Sequence, residues 1–248
     1  MRYLFSSLLV GFLILFTSCQ FTETLVLNAD GSGEIKIQMD ASEMIAMISS
    51  FSDGDEIKGM NERIDTTFFF VDIFKQIKDS IAQLPLEQQE KFKMLEPFGV
   101  HVKLDPDNEE MNYDIFLNFK DISEANNMFK VFNQVSNTGT KTVNSTEGLP
   151  AQESIKVEYS FSNNVFKRNT YIADKVLHQR ELDSLQSSEM MFGNTVYKLN
   201  YTFPQKIKSA SNTNATLSSD KKTLYLEANY FDYFRNPELL SVEVVLEK

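Results

Sequence analysis

Cysteine, histidine and tryptophan are scarce in this chain, and basic residues are outnumbered. Among 248 residues there is one cysteine, Cys19, which excludes an intramolecular disulfide framework and any cysteine-based zinc cluster. Two histidines, His101 and His178, leave little material for metal ligation or general-base catalysis. Lys and Arg number 24 against 35 Asp and Glu, a formal net charge of −11. Residues 1–18 carry only Arg2, so without them the count is 23 against 35, or −12. A body of that sign is repelled by phosphate backbones and anionic headgroups, which argues against nucleic acid as a partner and against adhesion to membranes by charge. Motifs are missing too. Nothing reads G-x-S-x-G, and there is no glycine-rich phosphate cradle. After residue 16 no apolar run approaches the ~20 residues of a membrane-spanning helix.

What is present begins at the N-terminus. Arg2 supplies a short positive region, and Leu4 to Phe16 is apolar except for Ser6, Ser7 and Gly11. Thr17 and Ser18 are small residues directly before Cys19. This is the layout of a secretory signal. The stretch "LFTSC" resembles the lipobox of bacterial lipoproteins, with Phe16 where an aliphatic residue is usual and Leu15 one step earlier. The resemblance implies that residues 1–18 are a lipoprotein signal peptide and that Cys19 becomes the first mature residue. It also implies a diacylglyceryl thioether and an acylated amine (palmitate-type chains) on Cys19. Several chains together make a stable anchor where one binds only marginally. Gln20 in place of an aspartate, and no acidic run after Cys19, point to a lipid-anchored protein of the outer membrane facing the periplasm.

The chain as a whole has an ordinary globular composition, 42% hydrophobic and 24% charged, and is long enough to bury a real core. With 21 Phe and no Trp, phenylalanine is the expected core filler. Residues 21–27 and 34–39 alternate at strand period around "NADGSG", a hairpin signal with Asp30-Gly31 at its tip. Asp40 with Glu43 forms a capping box for a short helix carrying Ala41, Met44, Ile45 and Ile48, and residues 49–63 read as a loop. From Phe68 the spacing predicts a helix through Leu84. Pro85 opens another and Pro97 closes it. Strands over 98–104 and 111–119 flank "DPDNEE", and Asp121 with Glu124 caps a helix with Ala125, Met128, Phe129, Phe132 and Val135 inward.

Beyond a Thr/Asn/Ser/Gly-rich bridge over 137–152, the hairpin 155–161/165–172 crosses "SNN". A helix over 174–191 follows, then strands over 196–203, 223–228 and 240–246. The expectation is an α+β fold, mainly antiparallel sheet built of hairpins and packed with several amphipathic helices. Its parts are 19–136, a linker or loop at 137–152, and 153–248, with the two parts able to form one domain.

Two stretches, "TLVLNADGSGEIKIQMD" and "YTFPQKIKSASNTNATLSSDKKTLYLEANYFDYFRNPELLSVEVVLEK", frame a helical middle. In this the chain resembles a group of uncharacterised bacterial lipoproteins that includes those with an LppM-like domain. The resemblance implies a sheet wrapped around helices and a groove for hydrophobic or lipid ligands, and brings no catalytic residues.

Candidate chemistry is thin. His101 lies on a strand and points opposite to Val100 and Val102, and His178 reads as a solvated residue beside Gln179 and Arg180. The acidic clusters at 30–34, 52–56 and 105–110 lack the glycine and glutamate positions of an EF-hand and read as turns. No metal site and no cofactor is expected. The apolar candidate is Phe51 with Phe68, Phe69, Phe70 and Phe74, near Met39, Met44, Met47 and Met60. Adjacent helical residues diverge by about 100°, so at least one of three consecutive Phe must leave the core stripe. These residues either pack a core or contact an apolar ligand. The sequence therefore points to a non-catalytic envelope lipoprotein, joined to the membrane through Cys19, that binds a lipid, another apolar ligand or a protein partner. A carboxylate-dependent hydrolase and a structural or assembly component of the envelope are the alternatives.

Overall fold

The structure is a computed structural model describing residues 20–42, 63–128, 130–131 and 154–248. Cys19, Phe51, Glu43 with the helix it was expected to cap, and the 137–152 bridge lie outside the described residues.

Among the described residues twelve strands form two sheets. The first runs β10 (Thr216–Leu217), β11 (Thr223–Asn229), β8 (Val196–Thr202), β1 (Gln20–Leu27), β2 (Gly33–Asp40), β5 (Glu110–Phe119), β4 (Phe98–Asp105), β3 (Ile64–Phe69). The second runs β6 (Ile155–Ser162), β7 (Val165–Ile172), β12 (Val242–Leu246), β9 (Ile207–Ala210). Pairing is antiparallel as expected except between β1 and β8, which run parallel from Gln20↔Val196 to Val26↔Thr202. That pairing carries one sheet through both halves of the sequence.

Two of the hairpins close as their turn residues dictate. Between β1 and β2 the Gly31 amide donates to the Asn28 carbonyl, and Gly31 stands at φ +87°, a conformation glycine adopts at no steric cost. Between β6 and β7 only Asn163 and Asn164 turn, at φ +52° and +61°. Two positive φ values in a two-residue loop match the twist of the strands they join.

Alternation decides which face is buried. On the large sheet Leu25, Ile35, Ile37, Ile115, Leu117, Val100, Leu199 and Leu226 point inward, while Thr22, Thr24, Lys36, Gln38, Lys198 and Asn200 point to the other side. The small sheet supplies Ile155, Val157, Phe166, Val242 and Val244 to the same core. Phe166 joins the layers, its ring 5.5 Å from Tyr201 and 5.3 Å from Phe203. A fully buried phenylalanine of this kind contributes about 2–3 kcal/mol from area alone.

Among the described residues the helices depart from the periodicity, most of them being shorter or broken. α1 (Phe70–Gln76) and α2 (Lys78–Ala82) break at Ile77, so the expected single helix is two, and it starts two residues late because β3 continues to Phe69. α3 (Leu86–Leu95) follows Pro85 and stops before Pro97. The Asp121–Glu124 capping box is present, with the Asp121 and Ser123 amides held by the Glu124 and Asp121 carboxylates, but it opens a 3-10 turn, Ile122–Asn127. α4 (Lys175–Phe192) is capped by Asp174, which accepts from the Val176 and Leu177 amides at 2.9 Å each. α5 (Tyr230–Arg235), β3, β9 and β10 are additions to the sequence expectation, and the last strand begins at Val242 after a 3-10 turn at Pro237–Leu240. Among the described residues no helix is long and apolar enough to cross a membrane.

Candidate functional site

The consecutive phenylalanines separate by strand alternation rather than by helical rotation. Phe68 and Phe69 are the last residues of β3 and point to opposite faces of the sheet, and Phe70 opens α1. Phe69, 41% exposed, meets Phe116 edge-on at 5.5 Å on the outer face. Gly99 lies between them in β4, where an added Cβ would stand 2.2 Å from the Phe116 ring. Phe68 instead begins a continuous row of rings: 5.9 Å to Phe70, 5.6 Å from Phe70 to Phe74, and 5.0 Å from Phe74 to Phe92 on α3. Phe74 is buried in the core, and Phe68, Phe70 and Phe92 are partly buried against it.

Phe92 ends this row and borders an open cleft of about 330 Å³ between α2 and α3. The cleft is lined by Ile81, Leu86 and Phe92 together with Gln89, Glu90, Lys93 and Glu96. Phe68, Phe70 and Phe74 stay behind Phe92, Phe69 lies on the outer face, and none of the four lines the cleft. Leu86, one of the lining residues, is 78% exposed, and Ile73 of α1 and Ile77 at the break are exposed as well. The Gln89 side chain donates to the carbonyls of Leu84 and Ala82, holding the α2–α3 turn that shapes the cleft. The arrangement offers an apolar floor with polar groups at its margin, the pattern of a small-ligand site at the low end of the usual size range.

Glu23, Arg168, His178 and His101 are engaged elsewhere. Glu23, on the inward face of β1, is completely buried between the sheets. Its carboxylate accepts from Tyr159 at 2.6 Å, Tyr197 at 2.9 Å, Arg168 Nη2 at 3.1 Å, and from Tyr201. Arg168 also donates to Thr170 Oγ1 at 2.6 Å and to the Leu240 carbonyl at 3.0 Å, and its guanidinium lies over the Tyr233 ring. Burial, then the Glu23 charge, pushes the phenols of Tyr159, Tyr197 and Tyr201 well above their usual value. Burial alone would lower Arg168, but Glu23 and the tyrosines hold it well above its usual value. A carboxylate with both oxygens occupied and no exposed surface has no room for a substrate; this is an internal tie between β1, β6, β7 and β8.

His178 is buried, not solvated: its ring stacks on Phe234 at 5.3 Å, and Nδ1 is 2.9 Å from Ser154 Oγ. Ser154, itself fully buried, donates its hydroxyl to Glu181 and therefore accepts from His178 Nδ1. Protons thus point from His178 through Ser154 to the acid. A nucleophilic serine needs the reverse, donating to the imidazole while the acid orients the other ring nitrogen.

His101 lies on the outer face, 3.0 Å from Asp65 and 3.4 Å from Asp114. Its imidazole is held above its usual value chiefly by the Asp65 hydrogen bond, against partial desolvation, with Asp114 adding to the rise. In the acidic turn at 105–110, Arg63 pairs with Asp105 and Asp107, and Lys103 pairs with Glu110. Among the described residues no three His, Cys, Asp or Glu side chains cluster as metal ligands.

No family model and no curated protein matches the chain. Among solved structures it is similar to the folded domain of the Mycobacterium tuberculosis LppM protein, determined by NMR. The identity is 10% and the TM-score 0.39, over 94% of this chain and 95% of that one. A likeness of that strength carries no argument about ligand or activity.

Proposed function

We propose that this chain is a non-catalytic lipoprotein of the bacterial cell envelope, acylated at Cys19 after loss of residues 1–18, that holds a lipid or similar apolar ligand between α2 and α3. The observation that carries the ligand reading is the cleft at Ile81, Leu86 and Phe92, backed by the ring row to Phe68. Exposed aliphatic residues beside a concave apolar floor are the surface from which a ligand or partner would exclude water. Lys93 and Gln89 at the margin suit a polar head, with the apolar part of the ligand on Phe92. Placement at the outer membrane, facing the periplasm, rests on Gln20 and the residues after it.

Native mass spectrometry of acyl-free protein (Cys19→Ser) prepared from its source organism tests the ligand. A co-purified lipid mass that disappears with Leu86→Asp is expected, and a clean apo mass overturns the reading. The anchor is tested apart from the ligand. The Cys19→Ser chain is expected to move from the membrane to the soluble fraction and to lack the acyl mass.

A further inference from the structure

Nothing separates the anchor residue from the first strand. Cys19 is followed at once by Gln20, the first residue of β1, and Gln20 is already paired on both sides, with Asp40 of β2 and Val196 of β8. The registers continue that line across the sheet. Asp40 faces Asn112, Asn112 faces Lys103, Lys103 faces Asp65, and on the other side Val196 faces Asn229.

We infer that this end of the eight-stranded sheet, from Asn229 through Gln20 to Asp65 with the Pro106–Asn108 turn beyond it, is the surface the body turns to the lipid bilayer. The inference rests on acylation of Cys19. Consecutive Cα atoms are about 3.8 Å apart, so an acylated Cys19 holds Gln20 within a residue's length of its own backbone. β1 cannot peel away to lengthen the tether without breaking a ladder on each side. At about 3.3 Å per residue, Leu27 and the hairpin tip beyond it stand roughly 23 Å further along the strand.

Charge does not draw this end to the membrane. Among the described residues its cations are taken up locally, Arg63 by Asp105 and Asp107, Lys103 by Glu110, and Lys198 by the Gln20 side chain at 2.7 Å. The orientation is therefore imposed by tether length and is insensitive to salt.

The test uses the mature acylated protein in phosphatidylethanolamine/phosphatidylglycerol vesicles carrying a headgroup-bound quencher. Acylation consumes the only native thiol, so Asp107→Cys or Asn118→Cys accepts a single fluorophore. The first position lies at the proposed membrane end and the second near the hairpin end. Quenching several-fold stronger at 107 than at 118, at low and high salt alike, is expected. Inserting ten Gly/Ser residues between Cys19 and Gln20, a reach of roughly 17 Å, should bring the two positions close to equal while the protein still floats with vesicles. Equal quenching without the insert, in protein that bears the acyl mass and floats, overturns the orientation alone. A contrast that survives the insert overturns the tether as its cause. Protein without the acyl mass overturns the anchor, and this inference with it.

Discussion

The large sheet carries a charged centre on each face, and the two differ in what holds them. Inside, Glu23 and Arg168 are both fully buried, and their polar atoms are met by three tyrosine hydroxyls, a threonine and a carbonyl. Outside, His101 bridges Asp65 and Asp114 with 29% of its side chain exposed, and Lys36 stands 3.6 Å from Asp114. The chemistry is similar and the surroundings are not. In the core, water cannot replace a lost partner, so each bond protects against a large desolvation cost. On the outer face water reaches Asp65 and the exposed side of His101 and replaces a lost partner there, so that pair contributes little.

The contrast can be broken most severely at Arg168. Arg168→Met leaves the Glu23 carboxylate buried without its cation and is expected to cost about 3–5 kcal/mol in urea unfolding. Glu23→Leu/Arg168→Met should cost less than the sum of the two single changes, because it removes both charges. Tyr201→Phe removes one hydrogen bond to a buried charge and should cost about 1–3 kcal/mol.

On the outer face the effect is smaller and depends on pH. His101 is raised in the folded state, so its contribution is fully present below the unfolded value of about 6.5 and is lost as pH rises through the folded value. The wild-type unfolding midpoint should therefore contain a component, under about 1 kcal/mol, that falls between mildly acidic and mildly basic pH and is missing in His101→Gln. The groups facing the ring are Asp65, Asp114 and, through Asp114, Lys36. The smallest effect is Asp65→Asn, which removes the main cause of the rise. An NMR titration should show the imidazole shifting downward with global stability nearly unchanged.

Much of the strand pattern was legible along the chain, and so was one sign of the inner centre. "FTETLVL" places Glu23 on the same strand face as Phe21, Leu25 and Leu27, and "VFKRNTYI" places Arg168 with Phe166 and Thr170. A charge on an apolar stripe signals a buried partner, but the partner lies 145 residues away, and spacing along the chain does not name it. His178 went unrecognised for the same reason. The residues that follow it, Gln179, Arg180 and Glu181, are polar, and Phe234 of α5 and Ser154, just before β6, are brought up against it only by the fold. β3 was hidden because "IDTTFF" is an edge strand with its threonines and Asp65 exposed, so it lacks the apolar alternation of a central one. Of the cleft, Phe92 and Leu86 were legible only as helix residues; the hollow forms where Ile81 of α2 comes beside Leu86 and Phe92 of α3.

Alternation, turn residues and capping groups act over a few neighbours, and for that reason the chain alone determined most strands, the hairpins at Gly31 and Asn163-Asn164, and the caps at Asp121 and Asp174. The parallel join of β1 to β8, the meeting of Glu23 with Arg168, and the cleft beyond Phe92 were decided by tertiary structure. Each depends on surfaces far apart in sequence that become neighbours only when the two sheets close on one core.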